Sequence, residues 1–254
     1  MLTGIDVSAW QGTVDFQRVK KSGADFVIIR AGGSDDGFYR DSKFEENYAK
    51  AKQAGLHVGA YYIVGRNFVS TNDGEADAKR FLALLKDKQF DMPVYVDVEI
   101  PLPKDRNGIT DAVIGFCKVM ESHGYYVGVY GSAVSGFVDR MDADRLKMYT
   151  FWVAQYSREY PTYPSGYGMW QYTDKGSISG VDGDVDMNLC YNDFPDTIIK
   201  YGMNGYRSAV KTNTQLALEV INGEWGNGEE RYTLLTEAGF DYDAIQTIVN
   251  ELMS

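Results

Sequence analysis

MPVYVDVEI (residues 92–100) reads as a buried strand that carries two acids. Val94, Val96 and Val98 alternate with Tyr95, Asp97 and Glu99, the period-2 pattern of a β-strand. Side chains two apart share a face, so the two carboxyls stand on the order of 6.6 Å apart on one side of the strand. Acids that close on a largely apolar element repel, and repulsion with desolvation lifts one pKa. One carboxyl then holds a proton near neutrality while the other stays ionised, as an acid catalyst with an anionic helper requires. The same spacing also fits two solvated or salt-bridged acids at a strand end, so the pair needs support from the rest of the chain.

Working outward, further strands are predicted at 3–8, 26–32, 57–65, 125–131, 150–156, 168–173 and 185–190. Amphipathic stretches lie around 14–22, 41–54, 71–87 and 110–123, with Gly55 and Gly124 where helix C-caps fall. Strand–helix alternation predicts a parallel sheet with right-handed crossovers. About eight strands, the last three joined by loops, predict a closed barrel that loses its helices late in the chain. In such barrels reacting groups gather at the C-terminal strand ends. Asp6, Arg30, Tyr61 and Tyr62, Asp97 and Glu99, Tyr130, Gln155 and Tyr156, and Trp170 to Tyr172 all fall late in their predicted strands, and Asp184 or Asp186 flanks the last.

The bulk numbers narrow the function. The 254 residues carry a net charge of −11, which argues against nucleic-acid binding and against attachment to anionic lipid. Nineteen tyrosines, twelve phenylalanines and four tryptophans supply rings of the kind that stack on sugar C–H faces. Cys117 and Cys190 lie far apart with no CxxC or nearby His pair, so neither a disulfide nor a metal site is expected, and no cofactor. The N-terminus MLTGIDVSAWQG has no basic n-region or apolar h-region, and no run approaches 18 apolar residues; no signal peptide and no membrane span are expected.

The expected layout is a barrel over 1–195, a linker over 196–211 and three short helices over 212–254. The tail starts with a capping box at Thr212 and Gln215. Asn227 with Glu230, and Asp241, fit as the next two caps, and Gly239 closes the second helix. The tail holds eight acids and one base, Arg231. A unit this small is marginally stable alone, so a cap on the barrel or an oligomer contact is the simplest reading.

GIDVSAWQG (4–12), ADFVIIRAGG (24–33), GLHVGAYY (55–62), VYVDVE (94–99), FWVAQY (151–156), WQYT (170–173) and GDVDMN (183–188) resemble, in this order, glycoside hydrolase family 25, the Chalaropsis-type lysozymes common among bacteriophage endolysins. Residues 221–253 are similar to one copy of the CW-seven type of cell-wall-binding repeat. The resemblance implies an irregular TIM-like (β/α)5(β)3 barrel that cleaves the β-1,4 bond from N-acetylmuramic acid to N-acetylglucosamine in bacterial peptidoglycan, without a cofactor. It implies Glu99 as the general acid and Asp97 as its anionic neighbour, with Asp6 and Asp186 completing an acidic cleft; Asp186 fits the VDxN pattern better than Asp184. Tyr62, Tyr130 and Trp170 would shape the sugar subsites with Gln155, and Arg30 would act as a charge partner. Tyr62 stands where many relatives have His, and Gln155 where His or Arg is common. The tail would bind a muropeptide through Trp225 and Arg231. One copy binds weakly, which makes self-association through the tail an expectation. The setting implied is synthesis in a host cytoplasm without a signal peptide, followed by release to the wall. A chitinase-like hydrolase shares the Asp-x-Glu, but its further upstream acids are replaced by Pro93 and Tyr95. A barrel that only binds walls would be expected to have lost one of the four acids.

Overall fold

The computed structural model describes residues 1–99, 105–156, 159–207 and 211–253. The chain divides into two compact units, 1–207 and 208–254.

In the first unit, β1 (Leu2–Val7), α1 (Phe16–Lys21), β2 (Phe26–Gly33), a short β3 (Tyr39–Arg40), α2 (Phe44–Gln53), β4 (His57–Ile63), α3 (Thr71–Leu85), β5 (Val94–Asp97), α4 (Arg106–Ser122), β6 (Val127–Ser132), α5 (Ala143–Leu146), β7 (Thr150–Ala154), β8 (Met169–Gly176), β9 (Val185–Cys190) and α6 (Phe194–Tyr201) follow in order. The strands form a ring β1-β9-β8-β7-β6-β5-β4-β2, closed by β1 pairing with β2, and β3 hangs on β2 as a hairpin. Seven ring strands run parallel, and β9 is antiparallel to both its neighbours. A helix follows each of the first five ring strands, and loops join the last three, which is the expected (β/α)5(β)3 barrel.

Strand alternation sorts the core into two layers. Val27, Ile29, Val58, Tyr62, Val96, Val98, Val129 and Phe151 face outward and pack on Phe16, Phe44, Phe81, Leu85, Val113 and Phe116 of the helices. Phe26, Ile28, Met92, Tyr95, Tyr130, Trp152, Met169 and Cys190 fill the inside. Small residues make room for the large ones. A Cβ on Gly128 would sit 2.5 Å from the Tyr95 ring. Among the helices, Gly74 lets α3 close on α4, since a Cβ there would lie 1.9 Å from the Ala112 carbonyl oxygen. The helices start where side-chain caps satisfy free N–H groups: Ser70 accepts from Asp73 N before α3, and Asp105 from Gly108 N before α4.

Three details depart from expectation. β5 ends at Asp97, so Glu99 lies just past the strand, although Val98 still donates its N–H to the Tyr130 carbonyl and keeps the alternation going. β3 and α5 had no clear signature, being short elements with few periodic positions. The linker expected at 196–211 is largely barrel: α6 buries Phe194 and Ile198 against the interior layer, and Asn204 donates to the Met92 carbonyl and accepts from Tyr126 N. Residues 208–210 lie outside the described residues.

The second unit holds α7 (Asn213–Ile221), α8 (Glu229–Glu237) and α9 (Tyr242–Met253) around Leu216, Ala217, Val220, Leu235, Ile245 and Val249. The capping box at Thr212 and Gln215 is formed, and Asp241 accepts from Ala244 N. The cap expected from Asn227 is not: Gly228, at φ 59°, is the N-cap of α8 and offers no side-chain cap. The Asn227 amide oxygen instead accepts from Arg231.

Candidate active site

The alternation that put Asp97 and Glu99 on one face directs both into the mouth of the barrel, at the C-terminal ends of the strands. There Asp6, Tyr61, Asp97, Glu99, Tyr130, Trp152, Tyr156, Gln171 and Asp186 line a cavity of about 100 Å³. It opens beside a cleft of about 330 Å³ that shares Glu99, Tyr130 and Tyr156 and adds Ser132, Val134 and Gln155. Larger cavities exist elsewhere, such as one of about 540 Å³ beyond β2 and β4, but the small one gathers the four acids.

The floor is aromatic. Trp152 sits at the centre, with the rings of Tyr130, Tyr95 and Tyr61 at 4.4, 5.2 and 6.2 Å. Its Nε1 donates to Asn188 Oδ1 at 2.8 Å. Asn188 Nδ2 in turn donates to Asp6 Oδ2 at 2.8 Å, and Gln171 Nε2 donates to the same oxygen at 2.9 Å. Gln171 Oε1 accepts from the hydroxyls of Tyr130 (2.9 Å) and Tyr156 (2.7 Å). Every amide atom of Gln171 and Asn188 used here is committed, so the position of Asp6 is defined from below.

Asp6 and Asp186 are directly opposed in the β1–β9 ladder, which brings the residues of such a pair to about 4.5–5.5 Å between Cα atoms. The interaction of the two carboxyls raises Asp6 and lowers Asp186, which favours the proton on Asp6. Burial pushes Asp6 well above the usual carboxylate range, the Asp186 charge adds to this, and the amides of Asn188 and Gln171 oppose it. Burial also raises Asp186, against the hydrogen bond it receives from Asp6.

Asp97 is 2 % exposed and its Oδ1 has no hydrogen-bond partner among the described residues. Burial holds it well above the ordinary range, followed by the charges of Glu99 and Asp6, while Arg30 pulls the other way. Glu99 is raised by burial and by the Asp186 charge. Its Oε2 lies 3.4 Å from the Tyr130 hydroxyl. That hydroxyl donates to the Glu99 carboxyl and opposes the rise, while it makes its shorter bond to Gln171. Four carboxyls around one small cavity cannot all ionise, and burial raises Asp97 and Glu99 alike.

The remaining predicted residues divide. Tyr130 lines both spaces and Gln155 lines the outer cleft, where its Oε1 accepts from Thr162 N at 2.8 Å. Arg30 is tied to Asp41 at 2.7 Å and acts on the acids through its field. Two expectations are corrected. Tyr62 is fully buried in the outer layer, its ring on Phe81 and Phe116 and its hydroxyl bonded to Asp77; its neighbour Tyr61 faces the cavity. Trp170 lies on the opposite face of β8 from the cavity, its Nε1 donating to the Gln155 carbonyl, and Gln171 takes the inward place. Tyr61, Tyr156 and Gln171 were expected at the strand ends without an assigned role, and Trp152 was not singled out, although counting in twos from the matched strand positions would have found it. In the second unit, Trp225 donates to Glu219 and Arg231 bonds the Gly226 carbonyl, Asn227 and Gln246, so the polar groups of both are engaged within the unit.

Residues 5–181 match the model of glycosyl hydrolases family 25, and residues 214–253 match the CW_7 repeat. The chain is 30% identical over 187 residues to an autolytic lysozyme of Clostridium acetobutylicum, an alignment covering 74% of this chain and 55% of that protein. It is 25% identical over 258 residues to the lysozyme of Streptococcus phage Cp-7, covering 98% of this chain and 69% of the other. The crystal structure of a bacterial lysozyme from Streptomyces coelicolor superposes with a TM-score of 0.65 at 29% identity, over 75% of this chain and 92% of that one. The chain thus spans little more than half the length of the Clostridium relative.

Proposed function

The chain belongs to glycosyl hydrolases family 25, and from that premise we propose that it is an N-acetylmuramidase, a lysozyme that hydrolyses the β-1,4 bond from N-acetylmuramic acid to N-acetylglucosamine in bacterial peptidoglycan. The observation that carries this reading is the convergence of Asp6, Asp97, Glu99 and Asp186 on one cavity, with an Asp97 oxygen left without a partner among the described residues.

A buried carboxyl oxygen without a donor is costly unless a ligand supplies one. The amide N–H of a sugar 2-acetamido group is such a donor. With Asp97 holding that N–H, the acetamido oxygen points at the anomeric carbon and attacks it as the glycosidic bond breaks. Glu99, neutral because it is buried beside Asp186, gives its proton to the departing oxygen. The cyclic intermediate then opens to water, whose proton returns to Glu99. This is the substrate-assisted route, one of the exceptions to the two-carboxylate schemes, and it yields net retention. Asp6 and Asp186 share a proton and one charge, and that charge supports the positive character that develops on the sugar.

The 214–253 repeat is proposed to hold the enzyme on the wall, with self-association raising avidity. Host lysis by a phage endolysin made in the host cytoplasm is the setting that fits this pairing of parts. The test is digestion of purified walls by the wild type and by Glu99→Gln, followed by mass spectrometry. Muropeptides ending in a reducing muramic acid, and a loss of about 10²–10⁴ in rate for the variant, are expected. Reducing glucosamine ends, or cleavage of chitin in place of wall glycan, would replace the reading. Removal of residues 212–254 should abolish wall pull-down while soluble glycan is still cut.

A further inference from the structure

Trp10 is 85 % exposed. A single exposed apolar residue is ordinary, but the other three tryptophans are buried or half-buried, and Trp10 differs from a mobile surface ring in how its backbone is held. Trp10 is rigid at the backbone. It lies in the 3-10 turn Ala9–Gln11, whose capping box is complete: Trp10 N donates to Ser8 Oγ at 3.2 Å, and Ser8 N to Gln11 Oε1 at 2.9 Å. Ala9 N donates to the buried Asp41, the carboxylate that also holds Arg30. None of these bonds uses the indole, so the scaffold presents the ring without depending on it.

Its position gives it a use. Trp10 is four residues beyond Asp6, hence within about 14 Å of it along the chain, at the C-terminal end of β1 and therefore on the active-site rim. In the ring of eight strands β6 stands four places from β1 in either direction. The outer cleft lined by Ser132, Val134 and Gln155 opens past β6 and β7. A linear glycan lying in that cleft and crossing the acids leaves the barrel mouth over the β1 side, the side on which the turn carrying Trp10 follows β1. An indole face suits the C–H face of a pyranose and tolerates differences in substituents.

Resting on the muramidase reading, we propose that Trp10 is a stacking platform for a saccharide ring remote from the scissile bond, extending the binding site across the mouth opposite the outer cleft. The experiment compares the wild type, Trp10→Phe and Trp10→Ala on long purified glycan strands and on the shortest fragments that are still cut, with thermal unfolding as a control for folding. Trp10→Ala should raise KM on long strands roughly 3- to 10-fold, as expected for the loss of one aromatic contact, with a smaller change in kcat. Short fragments should show no such rise, and Trp10→Phe should recover most of the affinity. Equal KM values on long strands, or equal losses on long and short substrates, would overturn the platform while leaving the muramidase reading intact. A wild type that cuts no glycan would overturn the muramidase reading, and the platform with it.

Discussion

Replacing Asp6 by Asn should stabilise the protein at neutral pH and leave it unchanged in acid. In the folded state Asp6 accepts from Gln171 and Asn188 on one oxygen and shares a proton with Asp186. An asparagine reproduces the protonated form: its carbonyl oxygen accepts the same two amide donors and its NH₂ donates to Asp186. The wild type differs only when its own proton must leave. Burial and the Asp186 charge raise the folded pKa, whereas the unfolded chain titrates near 3.9. Between these values the folded state holds a proton that the unfolded state has lost. Stability of the wild type relative to the variant therefore falls as pH rises through that window, by about 1.4 kcal/mol per pH unit, and flattens above the folded pKa. In melting temperature that is roughly 3–6 °C per unit for a barrel of this size. Urea unfolding of both proteins at intervals from pH 4 to pH 8 measures the gap directly, and the pH at which it stops growing is the folded pKa of the Asp6–Asp186 pair. A gap that stays constant across that range would refute the shared proton.

Further outcomes are expected. If Asp97 anchors the acetamido group, proton NMR of the first-formed product will show the β-anomer; prompt appearance of the α-anomer would eliminate substrate assistance. Because Glu99 works in its raised, neutral form, kcat/KM should fall on the alkaline side with an apparent pKa above the ordinary glutamate value; a limb at or below that value would contradict its role as the acid. Tyr62→Phe removes a 3.3 Å bond to Asp77 and should cost about 0.5–1.5 kcal/mol of stability with kinetics unchanged, while Tyr61→Phe should alter KM; the reverse pattern would show that the face assignment is wrong. Ile198 is fully buried, so Ile198→Ala should destabilise the barrel by about 2–5 kcal/mol; a loss below about 1 kcal/mol in urea unfolding would mean that α6 is an appendage.

Much of the barrel was legible because each element carries its own period and its own stop. Val94 to Glu99 alternate, Gly55 and Gly124 end helices with positive φ, and Thr212 with Gln215 closes a capping box. These are local signals, set within a few residues by backbone sterics and hydrogen bonding. α6 escaped because its start at Phe194 and Pro195 follows β9 after only three residues, and its burial depends on closing the far end of a barrel that the local pattern does not contain.

Local patterns in the chain suffice for the order of the eight ring strands and of α1 to α4, for the late loss of helices, and for the four acids at the strand ends. Only the tertiary structure decided which neighbour faces inward at Tyr61–Tyr62 and at Trp170–Gln171. Strands of a helix-covered parallel barrel are apolar on both faces, so composition does not reveal which parity points in, and register with adjacent strands must choose. It also decided that Asp6 and Asp186, 180 positions apart in the chain, meet across an antiparallel ladder. Their shared proton is a property of that closure and of the water it excludes.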